Sequence, residues 1–435
     1  MKSTTPKVAH KILGKEMILW ILDAVRAVGV NRIVVVTGHG AEVVEPLVDD
    51  AATVRQKEQL GTGHAVMMAS DYIDDEVLVL PGDVPLIRSS TLTELIEKRK
   101  ADDSDVTVLA FVPRDPSGYG RIVREGDRIR IIEDADLTES LREVSEVNSS
   151  IYAFRGSFLS EALERLTNNN AQKEYYLTDV VGYASRATTL VCDDHEEVQG
   201  INDRSQLAHV QKKAQEWINY MHMENGVTIQ DPDTTYISPG VLIGRDTVIE
   251  PGVFLSGHTV IGESCILGPM TCVSNSEVGN HSVVLRSEID SALIKDNVTV
   301  GPFARIRPGS VLESDSRIGN YVEIKNSLIG RRTKVQHLSY IGDAHLGKDV
   351  NIGAGTITCN YDGKKKHRTV IEDRVFVGSN TALVAPLKIG EGAVIAAGST
   401  VTEDVAPYSL AIARARQIEK SDKYRPGTPG KESGG

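Results

Sequence analysis

Residues 237–273 read ISPGVLIGRDTVIEPGVFLSGHTVIGESCILGPMTCV, in which an aliphatic side chain returns at every sixth position. The same spacing recurs from Val300 to Ile324 and from Val377 to Val401, and a glycine often follows the aliphatic residue. Neither an α-helix, with its period of about 3.6 residues, nor a simple strand, with its period of about 2, repeats in this way. A coil of three short strands, each with one inward side chain, does. We therefore predict a β-helix from about Ile237 to Val405, in which stacked coils share one continuous core.

The composition of the chain narrows the classes of partner that it can have. At 435 residues the chain is long enough for two domains or more. Its net charge is −12 and its basic runs are short, Lys364–Arg368 being the main one, so we expect no nucleic-acid partner. No run reaches the roughly 18 apolar residues of a membrane span, so we expect no membrane insertion. Four cysteines without a C-x-x-C spacing, and a start that lacks an apolar leader, predict reduced thiols in a cytoplasmic protein.

The residues before the repeats alternate between helical and strand patterns, as in the amphipathic Met17–Val28 and the aliphatic Arg32–Val36. This alternation predicts an α/β, Rossmann-like domain with a mostly parallel sheet, which binds ligands at the carboxyl ends of its strands. A polar end rich in proline and glycine predicts disorder. The predicted domains are an α/β domain at 1–203, a linker helix at 204–226, the β-helix at 227–416 and a disordered tail at 417–435.

Two short segments of the α/β domain bear on ligand binding. The turn Gly61-Thr62-Gly63 opens a predicted helix, where backbone N–H groups can approach a base or a phosphate closely. Asp83 follows a buried strand, where its carboxylate is suited to Mg²⁺. Each segment taken singly also has an ordinary structural explanation, a glycine turn in one case and a helix-capping aspartate in the other.

Taken together and in order, the motifs of this domain resemble those of sugar-1-phosphate uridylyltransferases. The motifs are Pro6–Val8, Gln59–Ala65, Gly82–Pro85, Gly118–Arg121, Glu133, Asn148, Asn168–Gln172 and Glu174–Asp179. The resemblance implies attack of a sugar phosphate on the α-phosphorus of UTP, with Mg²⁺ held by Asp83 and Asn202. The substrate-binding residues that it implies are Lys7, Gln56, Gly61, Thr62, Gly120, Glu133, Asn148 and Asn202. The chain departs from the family pattern at Pro81 and at Ser149-Ser150, where a small residue and a glycine are usual.

The hexapeptide register is interrupted at Gln336–Tyr340 and, more widely, at Thr358–Arg368. Because a solenoid needs little chemistry for its own stability, polar residues at its interruptions indicate a functional site. The basic cluster in the second interruption is consistent with a solvated loop and equally with a phosphate-binding site.

The second half resembles the hexapeptide-repeat acyltransferases, which build a left-handed β-helix and usually assemble as trimers. With the first half, nearly all of residues 1–416 resemble the bacterial bifunctional enzymes that make UDP-N-acetylglucosamine, on the motifs His337–Tyr340 and Asn351–Gly363. The resemblance implies a homotrimer in which His337 is the general base that frees the amine of glucosamine 1-phosphate to attack acetyl-CoA. The residues implied for glucosamine 1-phosphate are Arg307, Lys325, Tyr340, Asn351, Asn360, Tyr361 and Lys366. Those implied for acetyl-CoA are Ala354, Asn360, Tyr361, Ser379, Ala397 and Arg414.

Three alternative functions are compatible with the same architecture. A plain sugar-nucleotide pyrophosphorylase or a regulatory scaffold would carry a non-catalytic, trimerising β-helix, and neither needs both His337 and Asn360–Gly363, which are present here. A zinc hydrolyase would use His337, His345 and His367 as ligands, but these histidines lack a close ligand spacing.

The start of the chain differs from the family pattern. Uridylyltransferases of this kind have a buried strand and a glycine-rich loop before the residues that match Pro6-Lys7, whereas Met1 here stands at the last position of that motif. That loop supplies backbone N–H groups that cradle the phosphates of UTP. From residues 1–435 alone we therefore expect weak uridylyl transfer, a loosened first domain and full acetyl transfer.

Overall fold

The computed structural model describes residues 1–126 and 128–421, which form two compact units that divide between Ile218 and Asn219. The division falls within a helix that spans Arg204–Glu224. The domain boundaries expected at 203 and 227 stay a prediction. The predicted disordered tail lies, from residue 422 onward, outside the described residues.

The first unit consists of helices and strands in alternation. Its strands are β1 Lys11–Ile12, β2 Lys15–Glu16, β3 Val34–Thr37, β4 Ala52–Arg55, β5 Glu76–Val79, β6 Val106–Phe111, β7 Arg121–Glu125, β8 Arg128–Ile132, β9 Val147–Arg155 and β10 Ala187–Val191. Its helices are α1 Met17–Val28, α2 Ala41–Val44, α3 Thr62–Met68, α4 Ser89–Ala101, α5 Gly156–Glu164, α6 Thr178–Tyr183 and α7 Arg204–Glu224. The α/β fold class predicted for this half is confirmed.

The main sheet of this unit is mixed. It runs in the order β10-β6-β9-β7-β8, and β5 also pairs with β9. Strands β5, β6 and β10 share one direction, and β9 runs against both β5 and β6. Every residue of β6 is buried, because helices and loops cover both faces of the sheet at its centre. The antiparallel position of β9 was not predicted, because alternation of helices and strands does not encode the direction of a single strand.

Strands β3 and β4 form a separate parallel pair. Among the described residues, β3 pairs only with β4, and β5 pairs only with β9. The aliphatic residues Val34–Val36 of β3 remain half-buried, unlike those of β6. Strands β3 and β5 therefore each have one edge whose backbone groups pair with no other described strand. The expected looseness of this domain stays a prediction.

The second unit is a left-handed parallel β-helix, as predicted, and its strands stack into three parallel sheets. Sheet 1 contains Thr228–Ile229, Val248–Ile249, Ile266–Leu267, Val283–Val284, Thr299–Val300, Arg317–Asn320, Lys334–His337, Asn351–Ile352, Phe376–Val377, Val394–Ile395 and Leu410–Ala411. Sheet 2 contains Tyr236–Ile237, Phe254–Ser256, Cys272–Ser274, Glu288–Asp290, Arg305–Ile306, Glu323–Lys325, Tyr340–Gly342, Ile357–Cys359, Ala382–Val384 and Thr400–Val401. Sheet 3 contains Leu242–Ile243, Val260–Ile261, Glu277–Val278, Leu293–Ile294, Val311–Leu312, Leu328–Ile329, Ala344–Leu346, Thr369–Ile371 and Leu387–Ile389.

The hexapeptide aliphatic positions form the core of the β-helix. Residues such as Leu267, Ile306 and Leu383 have no exposed side-chain surface. The glycine that follows many of them permits the close stacking of coils: a Cβ on Gly319 would lie 2.0 Å from the carbonyl oxygen of Gln336 in the next coil. The period of six arises because each strand contributes one inward side chain and is followed by one tight corner.

No helix in residues 1–126 or 128–421 is long and apolar enough to cross a membrane.

We predict that the stability of the β-helix depends on its inward positions and not on neighbouring outward ones. Leu267→Ala should lower the free energy of unfolding by about 2–5 kcal/mol, because it empties a fully buried position in a core shared by adjacent coils. The adjacent Ile266, which is 39 % exposed, is the matched control, and Ile266→Ala should cost less than about 1 kcal/mol. Urea unfolding followed by circular dichroism measures both. Equal losses would contradict the assignment of inward and outward positions.

Candidate functional site

The glycine turn of the first unit is built for close backbone approach. Gly61 lies at the N-terminus of α3 with φ +107°, a conformation that favours glycine. The Gly63 N–H donates to the carbonyl oxygen of Tyr175 at 2.7 Å, and the Tyr175 N–H donates to that of Leu60 at 2.8 Å. Gln56 Nε2 donates to the Gly61 carbonyl oxygen at 3.1 Å. Two motifs far apart in sequence, Gln59–Ala65 and Glu174–Asp179, therefore form one local structure.

The two residues expected to hold Mg²⁺ lie close together. Lys7 Nζ donates to Asp83 Oδ2 at 2.5 Å and to Asn202 Oδ1 at 3.0 Å, so both oxygens converge on one cationic group. The Ile201 N–H donates to the Asp83 carbonyl oxygen at 3.0 Å, which fixes Asn202 beside the aspartate. One carboxylate and one amide oxygen fit Mg²⁺, which takes its remaining ligands from water and substrate phosphates. Across the described ranges no cluster of three or more His, Cys, Asp or Glu residues could hold a metal by itself.

The three residues expected to bind the sugar also come together. The Asn148 N–H donates to the Gly120 carbonyl oxygen at 2.9 Å, and a Cβ on Gly120 would lie 3.4 Å from Glu133 Oε2. Glu133 accepts a hydrogen bond from Thr178 Oγ1 at 2.9 Å. Burial raises the pKa of Glu133, and that hydrogen bond only partly opposes the rise. The side chain of Asn148 donates to the hydroxyl oxygen of Tyr152 at 2.7 Å, which fixes its orientation.

The structure explains why a glycine is usual in the family at the position of Ser150. Ser150 has φ +64°, a conformation in which glycine is relaxed and other residues are strained by about 1–2 kcal/mol. The pairing of β9 with β6 shifts register between Leu109 and Ala110, beside this residue. The Asn148 side chain accepts a hydrogen bond from the Ser150 N–H at 3.0 Å, which stabilises the bend.

His337 lies at the end of a sheet 1 strand, exposed and oriented by one neighbour. Its Nδ1 lies 3.0 Å from Asn320 Oδ1 in the preceding coil. A carbonyl oxygen can only accept, so Nδ1 carries the proton and Nε2 is left as the basic nitrogen. Asn320 was not predicted. Its signal in the sequence is its position after Gly319 at the register position that matches His337.

The cationic residues expected at the sugar phosphate gather along sheet 2. Arg305-Ile306 pairs with Glu323-Ile324, which places Arg307 beside Lys325. Arg307 Nη1 donates to Glu323 Oε1 at 2.7 Å. Contact with the Lys325 ammonium lowers the pKa of Lys366, which the inserted loop brings to the same place. Three cations from separate segments therefore converge.

Two other residues expected at this substrate lie on different sheets. Tyr340 pairs with Glu323 on sheet 2, next to the cations. Asn351 pairs with Lys334 and Phe376 on sheet 1, the sheet that carries His337. Within one chain the structure places Asn351 with the strand of His337 and not with the cation cluster.

The predicted interruption at Thr358–Arg368 begins two residues too early, because Thr358 and Cys359 belong to the strand Ile357–Cys359. The inserted loop is Asn360–Arg368, and the strand Thr369–Ile371 follows it. Asp362 organises it by accepting hydrogen bonds from the N–H groups of Lys364 and Lys365 and from His367 Nε2, each at 2.7 Å. The Lys365 N–H, followed by His367, holds the pKa of that carboxyl well below its usual range. Tyr361 remains exposed, with its hydroxyl bound to the Gly363 carbonyl oxygen.

A cleft of about 490 Å³ lies next to His337. It is lined by Leu338, Ala354, Gly355, Ser379, Asn380, Ala397, Gly398 and Arg414. All four residues expected only for acetyl-CoA are in this lining. Arg414 Nη1 donates to the Ala397 carbonyl oxygen at 2.6 Å, which holds its guanidinium at the rim. Asn360 and Tyr361, also expected there, are not part of the lining in this chain.

The three histidines that a zinc hydrolyase would use as ligands do not lie together. His337 lies on sheet 1 and His345 on sheet 3, and His367 is bound to Asp362 in the inserted loop. No three-residue metal cluster occurs in the part of the chain that the structure describes. The geometry gives this alternative no support.

Comparison with known proteins agrees with both halves of this description. Residues 1–173 match the MobA-like NTP transferase domain family, and residues 368–403 match the bacterial transferase hexapeptide family, with six repeats. The bifunctional protein GlmU of Thermotoga petrophila is 52 % identical over 97 % of this chain and 95 % of its own length. The chain belongs to the GlmU family. The GlmU proteins of Fervidobacterium nodosum and Carboxydothermus hydrogenoformans are 51 % and 50 % identical over the same share of this chain, and over 93 % and 96 % of their own lengths.

Membership of the GlmU family confirms the resemblance drawn from the motifs and the bifunctional reading that it implied. A chain of this family is a glucosamine-1-phosphate N-acetyltransferase and an N-acetylglucosamine-1-phosphate uridylyltransferase. The readings as a plain pyrophosphorylase or a scaffold are not favoured, because the match extends over the acetyltransferase half as well.

We predict that Gly61 is required by close contact as well as by its φ angle. Gly61→Ala would place a Cβ 2.6 Å from the carbonyl oxygen of Tyr175, which cannot withdraw without breaking its bond to Gly63. Gly29→Ala is the control for a positive φ without close contact, because Gly29 has φ +81° and ψ 34° and no atom within 4 Å of an added Cβ. Gly61 has φ +107° and ψ 176°, a conformation that is essentially restricted to glycine, so backbone strain adds to the contact. Gly61→Ala should destabilise the first unit by about 1–3 kcal/mol more than Gly29→Ala. Equal unfolding midpoints in urea would refute the steric argument.

Proposed function

We propose that the β-helix unit acetylates glucosamine 1-phosphate with His337 as its base. The observation that carries the proposal is a histidine of defined tautomer beside a cleft lined by the residues expected for acetyl-CoA. Nε2 of His337 takes a proton from the sugar ammonium, and the freed amine attacks the thioester carbonyl carbon. The amide forms as the carbon–sulfur bond breaks and the nitrogen loses its second proton. Coenzyme A leaves with the electron pair of that bond and takes up this proton as the thiol.

The cation cluster is the binding site for the sugar phosphate in this proposal. Arg307, Lys325 and Lys366 offer charge-assisted hydrogen bonds to the phosphate oxygens. Tyr340 lies on the same sheet, where it pairs with Glu323, and positions the sugar. Asn351, Asn360 and Tyr361 keep the substrate roles implied by the family.

The first unit carries out uridylyl transfer in this proposal. Asp83 and Asn202 hold Mg²⁺, which neutralises phosphate charge when bound. Lys7, Gln56 and the turn at Gly61-Thr62 contact UTP, and Gly120, Glu133 and Asn148 bind N-acetylglucosamine 1-phosphate. The enzyme aligns the sugar phosphate with the α-phosphorus and releases pyrophosphate, a reaction that depends on positioning rather than on a covalent intermediate. A cytoplasmic location suits these substrates.

We predict that His337→Ala lowers acetyl transfer by roughly 10²–10⁴-fold, the usual contribution of a positioned base. His345→Ala is the matched control, because His345 is also exposed on the β-helix but lies on sheet 3. Acetylation is followed by the release of coenzyme A thiol from acetyl-CoA with glucosamine 1-phosphate. Wild-type acetylation by the His337→Ala variant would remove this residue from the mechanism.

We also propose a homotrimer, assembled through one corner of the β-helix. Three exposed apolar side chains, Phe303, Tyr321 and Leu338, follow one another along this corner, between sheets 1 and 2. The rings of Phe303 and Tyr321 stack with centroids 5.4 Å apart. A contiguous apolar ridge beside the cleft is typical of a surface that another subunit covers.

Phe303→Asp should dissociate the assembly, because it places a charge on the apolar ridge. Val260→Asp, an exposed apolar residue of sheet 3, is the control and should keep the assembly of the wild type. Light scattering after size-exclusion chromatography measures the mass of each. A fully active wild-type monomer would refute the trimer.

A further inference from the structure

A single aspartate lies at the centre of the polar cluster on the β-helix. Asp343 occupies the corner between the strands Tyr340–Gly342 and Ala344–Leu346 and is only 9 % exposed. Asn326 Nδ2 donates to its Oδ1 at 2.6 Å from the preceding coil, and Asn360 Nδ2 donates to its Oδ2 at 2.5 Å from the following coil. Both carboxylate oxygens therefore have a fixed direction.

The charges around Asp343 are mainly positive. Burial by itself raises the pKa of this carboxyl, but the hydrogen bonds from Asn326 and Asn360 and the charges of Lys325 and Lys366 outweigh it, so the pKa is lowered. Contact with Lys325 lowers the pKa of Lys366, and the Asp343 carboxylate opposes that shift. Asp343 thus remains an anion, and its backbone N–H donates to the Lys325 carbonyl oxygen at 3.0 Å, which places the two residues side by side in adjacent coils.

The other charged groups near the two lysines are engaged elsewhere or are weakly acidic. Arg307 is paired with Glu323 at 2.7 Å, and the Asp362 carboxylate is bound by the backbone of its own loop and by His367. Tyr340 acts on Lys366 only as a minor influence. Asp343 is therefore the carboxylate that balances the lysine pair.

We propose that Asp343 is a positioning residue that holds Lys325 and Lys366 as a charged pair ready for the substrate phosphate. The inference rests on the proposed assignment of this cluster to glucosamine 1-phosphate. Two neighbouring ammonium groups repel each other, and a fixed anion near them offsets that repulsion before the substrate arrives. Since Asp343 also anchors Asn360, where the inserted loop leaves the β-helix, it sets the position from which Lys366 reaches the site.

The chain offers a close control for the key variant. Asp343 and Asp349 both occupy corners with positive φ, +49° and +58°, and both carry hydrogen-bonded carboxylates. Asp349 binds the exposed Arg332, away from the lysine pair. Asparagine tolerates this φ as well as aspartate does, so Asp343→Asn and Asp349→Asn leave the backbone unstrained. In Asp343→Asn, however, one amide NH₂ must face an NH₂ of Asn326 or Asn360, and the charge is lost.

The test measures kcat and KM for glucosamine 1-phosphate against pH, with acetyl-CoA saturating. Without the carboxylate the pKa of Lys366 falls further, so its charge is lost at lower pH and KM begins to rise earlier. For Asp343→Asn we expect this basic limb to move to lower pH, so that KM on that limb rises severalfold, with kcat within about threefold of wild type. Asp349→Asn should match the wild type. A KM profile for Asp343→Asn like that of Asp349→Asn, or a loss confined to kcat, would overturn the proposal.

Two further variants keep the outcome interpretable. Lys325→Ala tests the phosphate site itself: if it leaves KM unchanged, the assignment of the cluster fails and the Asp343 proposal fails with it. If Lys325→Ala raises KM but Asp343→Asn does not, only the role of Asp343 is refuted. Should Asp343→Asn not fold, Asn326→Gly frees one carboxylate oxygen while keeping the charge, and should raise KM without moving the basic limb. No change in KM for Asn326→Gly would then count against the proposal.

Discussion

The parallel pairing of each coil with the next determines the chemistry of the β-helix. Backbone hydrogen bonds between coils, such as the Gly244 N–H to the Ile261 carbonyl oxygen at 2.9 Å, hold successive strands in register. Residues at equal positions of adjacent coils must then lie side by side. This constraint brings Asn320 to His337 and aligns Asn326, Asp343 and Asn360 in one column. The aliphatic core sets the register, and the register aligns the polar residues.

The first unit assembles its site in a different way. Lys7, Asp83 and Asn202 come from a short 3₁₀ turn, the end of a strand region and the segment before α7, and they are 76 and 195 residues apart in sequence. Their convergence depends on the sheet, through the bond from the Ile201 N–H to the Asp83 carbonyl oxygen. Such a site depends on long-range packing and is more sensitive to loosening than one built on adjacent coils.

Both units contain an internal ion at a position where a substrate or metal charge is expected. In the first, the Lys7 ammonium lies on the two oxygens proposed for Mg²⁺. In the second, the Asp343 carboxylate lies within the influence of the two lysine charges proposed for phosphate. An internal counter-ion keeps like-charged ligands together without the substrate, and so reduces the rearrangement that binding requires.

The sequence by itself determined what depends on local spacing. The period of six predicted the β-helix and its inward residues, and the apolar pattern of Met17–Val28 predicted a helix with the bounds observed. The motifs also predicted His337 and the residues Ala354, Ser379, Ala397 and Arg414, which the structure places together in the lining of one cleft next to His337. The tertiary structure alone decided the partners: Asn320 for His337, the anion at Asp343, and β9 between β5 and β6. The reason is that partners are set by stacking and by strand direction. The sequence separation of stacked residues varies from 16 to 25, and the largest value occurs where a loop is inserted.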